Sequence, residues 1–273
     1  MSRLTALFAS LRERHEAALL PYLTIGYPTL RETVPLAVEL VRAGADGLEL
    51  GIPFSDPLAD GVTLQVASQR ALEQGVTLDQ AFATARALRH EVAVPIVFMS
   101  YYNPVQRRGV EVFCAHAAES GVDGLIVPDL PPEEAPPLKA ACRRSGLALV
   151  PMVAPTTPPE RIEAACAGAE GFVYCVALQG VTGARSSLGA DLPAFLARVR
   201  ACTTAPLVVG FGISRPEHVA VVRQHADGAI VASALADLLA RTPEADRTRA
   251  AAAYVAEMKA ATRGGQPLPS VHR

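Results

Sequence analysis

Eight short, unbroken apolar runs, each followed by a helical pattern, set the frame for this chain. They cover 19–25, 48–50, 94–99, 124–127, 147–151, 172–176, 207–209 and 229–231. Strands that are apolar throughout, rather than alternating, suit a parallel sheet covered on both faces. Between them, apolar residues recur at i, i+3, i+4 and i+7, which predicts helices. The helices are expected over 30–42, around Leu64 to Leu72, around Leu78 to Leu88, and over 110–119, 132–144, 159–167, 192–201, 216–224, 235–239 and 244–261. Leu4, Leu7, Phe8 and Leu11 add an amphipathic helix before the first strand. Eight βα units with no linker-like break predict an α/β fold, a single (β/α)8 TIM barrel over 1–262. Extra helices stand at its N-terminus and after strands two and eight. A doubly wound open sheet is the competing arrangement, and it needs a reversal of strand order. Residues 263–273, rich in glycine and proline, read as a disordered tail.

Composition narrows the function classes. The 273 residues are 50% hydrophobic with a formal net charge of -2, which argues against nucleic acid or an anionic membrane as partner. Trp is absent and aromatics make up 5%, so base-stacking platforms are not expected. Cys114, Cys142, Cys166, Cys175 and Cys202 lie far apart in sequence, so no zinc or redox pair is readable. They read as small packing residues of a reducing cytoplasm. No apolar run approaches the ~18 residues of a membrane span. A soluble, cytoplasmic protein is expected.

In a barrel of this kind the loops after the strands build the active site. Residues 48–61 are the most informative of them: a short apolar strand with one acid, Glu49, then a loop stiffened by Pro53 and Pro57 that carries Asp56 and Asp60. A carboxylate in a buried strand is costly unless something uses or pairs it, and burial should raise its pKa into a useful range for proton transfer. Asp60 has two readings, a second functional acid or the N-cap of the helix that follows. Asp129, before Pro131-Pro132, reads as a cap. The loops after strands seven and eight, Gly210-Phe211-Gly212-Ile213-Ser214 and Ala232-Ser233-Ala234, occupy the usual phosphate cradle. Gly180 to Arg185 has the small residues of a closing lid. Asp46-Gly47, Asp123-Gly124 and Asp227-Gly228 sit at the opposite strand ends and read as structural turns. The six histidines fall on helices or the tail, and none is assigned a catalytic role. A phosphate-bearing small molecule, two carboxylates and no metal or nucleotide motif point to proton-transfer chemistry, either isomerisation or carbon–carbon cleavage.

The run from Leu48 to Gly61 resembles the signature of the tryptophan synthase alpha chain family. So, in order and spacing, do Tyr101-Tyr102-Asn103-Pro104, 127–131, Ala154-Pro155-Thr156-Thr157, Gly180-Val181-Thr182-Gly183 and 209–214. The resemblance implies a lyase that cleaves indole-3-glycerol phosphate to indole and glyceraldehyde 3-phosphate, with no cofactor in this chain. It also implies a pyridoxal-phosphate-dependent beta chain as partner, in an alpha2beta2 heterotetramer. Carried over by position, Glu49 is the acid/base and Asp60 the acceptor for the indole N–H. Tyr22, Leu64, Tyr101 and Tyr174 line the indole pocket. Gly183, Gly212, Ile213, Ala232 and Ser233 hold the phosphate, and Gly180 and Thr182 belong to the lid. Asp56, Asn103 and Asp129 face the partner. Two departures stand out. Ala177-Leu178-Gln179 lacks the arginine the family usually carries before the lid, and Ala232 replaces a glycine, whose loss matters if φ there is positive. A stand-alone lyase releasing free indole, or a weakly active barrel that activates a beta chain, are the alternatives.

Overall fold

The computed structural model describes residues 2–177 and 191–264. Among them nine parallel strands form one sheet: β1 (Ala18–Thr24), β2 (Leu48–Gly51), β3 (Ile96–Met99), β4 (Gly124–Ile126), β5 (Ala148–Val150), β6 (Met152–Val153), β7 (Val173–Val176), β8 (Leu207–Gly210) and β9 (Gly228–Val231). Their order is β5-β4-β3-β2-β1-β9-β8-β7-β6. The fifth apolar run appears as two strands because Pro151 has no N–H for the ladder. Its carbonyl still accepts the Tyr174 N–H at 2.9 Å. β5 and β6 are thus one stave, the ring closes through Pro151, and the fold is a (β/α)8 barrel of eight staves.

Helices surround the ring where the apolar periodicity placed them, with two informative differences. Helix Tyr102–Arg108 was not anticipated from Asn103-Pro104, which reads locally as a loop. Proline is tolerated in a helix's first turn, and the Asp129 carboxylate accepts the Tyr102 N–H at 2.9 and 3.2 Å. The cap comes from another loop, so local sequence could not show it. Helix Pro136–Arg144 begins four residues later than the expected 132, with Pro136-Pro137 at its first positions, where a missing N–H costs nothing.

The three Asp-Gly turns are more than turns. Asp46 accepts the Leu19 N–H at 2.8 Å and returns its own N–H to the Leu19 carbonyl at 3.0 Å. Asp123 does the same with Ile96 (2.9 and 2.7 Å), and Asp227 with Leu207 (both 2.8 Å). Each aspartate therefore fixes the register of the strand it precedes against the neighbouring strand at the barrel's N-terminal end. Each is also paired with a cation: Asp46 with Lys259, Asp123 with Arg89 and Arg3, Asp227 with Arg200. From the segment read as a tail, Arg263 pairs with Glu16 and the Gly264 carbonyl accepts from Arg223; residues 265–273 lie outside the described residues.

Asp123→Ala should lower unfolding free energy by about 2–4 kcal/mol, because it leaves the Ile96 N–H without its acceptor and the largely buried Arg89 guanidinium without its counter-charge. A urea titration checks this. A fall of the midpoint at unchanged slope is expected, and a loss under about 1 kcal/mol would mean the clamp contributes no more than an ordinary turn.

Candidate active site

Register brings the two ends of the site together. Tyr22 on β1 lies opposite Glu49 on β2, and Met152 on β6 opposite Tyr174 on β7. Neighbouring parallel strands present register partners on the same face, so these four converge at the C-terminal mouth. A cavity of about 240 Å³ lies there, with Tyr22, Glu49, Asp60, Leu64 and Tyr174 on its walls, and Gly212, Ile213, Ala232 and Ser233 at one end. A larger groove of about 560 Å³ runs along the outer wall between helices Pro136–Arg144 and Pro159–Cys166. It is larger, but the acid on its lining, Asp129, already caps a helix. Glu49 and Asp60 both line the smaller cavity.

Both tyrosines reach over a glycine on the next strand. A Cβ on Gly51 would stand 1.8 Å from the Tyr22 hydroxyl, and one on Gly210 would stand 1.9 Å from that of Tyr174. Glycine is required at these stave ends for the hydroxyls to lie across the mouth. The Tyr22 hydroxyl accepts from Thr24 Oγ1 at 3.4 Å.

Glu49 is 3% exposed and Asp60 8%. Glu49 Oε2 and Asp60 Oδ1 are buried and have no hydrogen-bond partner among the described residues. Buried carboxylate oxygens without partners are rare, and each calls for a ligand or a function. Burial pushes Glu49 up to about 8, with the Asp60 charge adding to it. Burial also raises Asp60, to about 6, while a hydrogen bond from the Tyr101 hydroxyl opposes the rise. Near neutrality Glu49 is therefore mostly protonated and Asp60 mostly ionised. The two acids are held apart in protonation state.

The helix-cap reading of Asp60 does not hold. Gly61 is the N-cap of helix Val62–Glu73 and no side chain caps it, so the Asp60 carboxylate is left for the cavity. Tyr101 is buried but stands behind Asp60 and does not line the cavity. Its hydroxyl accepts the Ala59 N–H at 3.0 Å, and its ring stacks on Phe54 at 5.3 Å. Tyr101 thus positions the acid-bearing loop. At the other end, Phe211 and Gly212 both adopt left-handed backbone (φ 71° and 75°). The N-terminus of helix Ser233–Arg241 has no side-chain cap, which leaves its first N–H groups suited to an anion. Ala232 has φ -120°, so the anticipated clash of its Cβ with a positive φ does not arise.

Among the described residues no group of His, Cys, Asp and Glu is placed to hold a metal ion. Residues 8–263 match the family model of the tryptophan synthase alpha chain. This chain belongs to the tryptophan synthase alpha chain family. It is 54% identical over 256 residues to the tryptophan synthase alpha chain of Roseiflexus castenholzii, covering 93% of this chain and 98% of that one. That of Carboxydothermus hydrogenoformans is 45% identical over 239 residues, 88% and 90% of the two chains. Among solved structures, tryptophan synthase from Mycobacterium tuberculosis is 38% identical with a TM-score of 0.88, covering 97% of this chain and 99% of that one. The alpha chain from Legionella pneumophila is 36% identical with a TM-score of 0.87, covering 96% and 97%. The tryptophan synthase alpha chain family serves tryptophan biosynthesis, and this member is accordingly its lyase alpha subunit.

The residues expected to face a partner lie apart from the cavity acids. Asp56 is exposed and accepts from Ser55 Oγ at 2.5 Å, Asn103 is exposed, and Asp129 carries the helix cap described above. Gly180, Thr182 and Gly183, and the Leu178-Gln179 departure, lie outside the described residues. Sequence reading passed over Met99, Ile126, Met152 and Ile230 as cavity wall, although each stands at or near the end of an apolar run, which was the available signal. No helix among the described residues is long and apolar enough to cross a membrane.

The raised Glu49 pKa has a stability consequence with a definite sign. The folded state holds the proton more tightly than the unfolded chain, so this contribution is full below about pH 4.5 and is lost as pH rises through about 8. By pH 7 the loss is on the order of 3 kcal/mol. Glu49→Gln should therefore melt higher than the parent at about pH 8–9, and the gap should close towards pH 4–5. A gap independent of pH in calorimetry would contradict burial as the cause.

Proposed function

We propose that this chain cleaves indole-3-glycerol phosphate to indole and glyceraldehyde 3-phosphate. The observation that carries this reading is a pair of buried carboxylates with unpartnered oxygens on one cavity, next to an uncapped helix N-terminus suited to a phosphate. In a retro-aldol cleavage the ring must first accept a proton at the carbon bearing the side chain. Protonated Glu49 supplies it. Positive charge then develops on the ring nitrogen, and ionised Asp60 accepts its N–H and stabilises that charge. The Glu49 carboxylate so formed takes the proton from the hydroxyl on the adjoining carbon. The carbon–carbon bond breaks, its electrons return to the ring, and the hydroxyl becomes the aldehyde. One proton enters and one leaves, so Glu49 ends as it began.

In this reading Leu64, Tyr22 and Tyr174 enclose the indole, Gly212, Ile213, Ala232 and Ser233 hold the phosphate together with Gly183, and Gly180 and Thr182 belong to the lid. The indole is passed, in this reading, to a beta chain that carries the pyridoxal phosphate, within an alpha2beta2 assembly in the cytoplasm. A surface for that chain is offered by Asp56, Asn103 and Asp129 beside exposed Leu58 (89%) and Val62 (77%). Phe54 on the same loop stacks on Tyr101, whose hydroxyl braces Asp60, so a protein docked on this loop bears on the catalytic acid.

Assay of indole release against pH tests the assignment. kcat/KM should be bell-shaped, with limbs near about 6 and 8 from Asp60 and Glu49. Glu49→Gln should reduce kcat by ~10²–10⁴ with KM little changed. Unchanged turnover would remove Glu49 from the mechanism. Glycerol-phosphate substrate consumed without indole appearing would remove the reaction.

A further inference from the structure

The mechanism uses none of the five cysteines, and in sequence none is close to another. In the fold two of them meet. Cys114 on helix Val110–Glu119 and Cys142 on helix Pro136–Arg144 bring their sulfurs to 3.8 Å across the packed face of the two helices. Both side chains are fully buried. We propose that Cys114 and Cys142 form a redox-labile pair that closes into a disulfide, joining the helices that follow β3 and β4.

The sulfurs must approach by about 2 Å to reach bonding distance, a movement of side chains on neighbouring helices rather than of the barrel. The contact between the two sulfurs holds one thiol of the pair below its ordinary range and pushes the other above it. Either thiol can attack first, with the other 3.8 Å away to resolve it; the route through Cys114 is representative. With hydrogen peroxide as oxidant, the Cys114 thiolate attacks one peroxide oxygen, the O–O bond breaks, and a sulfenic acid and hydroxide form. The Cys142 sulfur then attacks the sulfenic sulfur and expels its hydroxyl as water. Two thiols and one peroxide give one disulfide and two waters. Access comes through local opening of helix Pro136–Arg144, a nine-residue element of the outer layer. Cys166, Cys175 and Cys202 are the internal reference, because Cys202 is the most open of the five and has no such resolving thiol within contact among the described residues.

The test treats the full chain with hydrogen peroxide, blocks free thiols after unfolding, and maps peptides by mass without reduction. A peptide joining Cys114 to Cys142, lighter by two hydrogens, is expected. The melting temperature should rise by about 3–8 °C, and dithiothreitol should reverse it. Cys142→Ala should abolish both changes, and Cys114→Ser should repeat that result should the alanine variant fold poorly. The inference is overturned by alkylation of both Cys114 and Cys142 in a sample whose Cys202 is oxidised. A rise in melting temperature that survives Cys142→Ala would overturn it equally. The map on the unsubstituted chain needs no variant.

Discussion

A glutamate kept inside an apolar barrel mouth, with one carboxylate oxygen touching no donor among the described residues, is the constraint on which this structure turns. Water would stabilise the ionised form by far more than Leu64, Met99, Ile126 and Ile230, which line the same cavity, can. The protein resolves the conflict by keeping the proton on Glu49 near neutrality. What is a liability for folding is the property an acid catalyst needs. The neighbouring Asp60 escapes the same fate because it is less deeply buried and is braced by the Tyr101 hydroxyl.

The two ends of the barrel divide the work. At the N-terminal end Asp46, Asp123 and Asp227 are each satisfied by a backbone N–H and a cation, and they fix strand register. At the C-terminal end Glu49 and Asp60 each keep one oxygen without a partner among the described residues, and the helix Ser233–Arg241 starts without a side-chain cap. Fully paired carboxylates hold the scaffold, and those with an oxygen to spare line the cavity. The glycines follow the same logic: Gly51 and Gly210 are small so that Tyr22 and Tyr174 can lie across the mouth.

Much of this was legible in the sequence. Continuous apolar runs alternating with helical periodicity identified the eight staves, since burial on both faces leaves no other pattern. Glu49 stood out because a lone acid within such a run is costly. What stayed hidden depended on groups distant in the chain. Asp129 caps helix Tyr102–Arg108 across 27 residues, so that helix read as a loop. Asp60 was ambiguous between cap and acid until Gly61 proved to occupy the cap position. Tyr101 was assigned to the pocket wall, and only its contacts with Ala59 and Phe54 show it as a brace. Cys114 and Cys142, 28 residues apart, look like two unrelated packing residues until their helices are side by side. The concern over Ala232 rested on an assumed positive φ that the backbone does not adopt.

The account's central claim is that desolvation by the barrel keeps Glu49 protonated through neutral pH. Carbon-13 NMR of the glutamate carboxyls, with Glu49→Gln used to assign the resonance, measures this directly. A midpoint near about 8, moving down in Asp60→Asn, is the predicted result. A midpoint near the ordinary glutamate value of about 4.5 would show the mouth to be wet, and would leave the barrel without its acid.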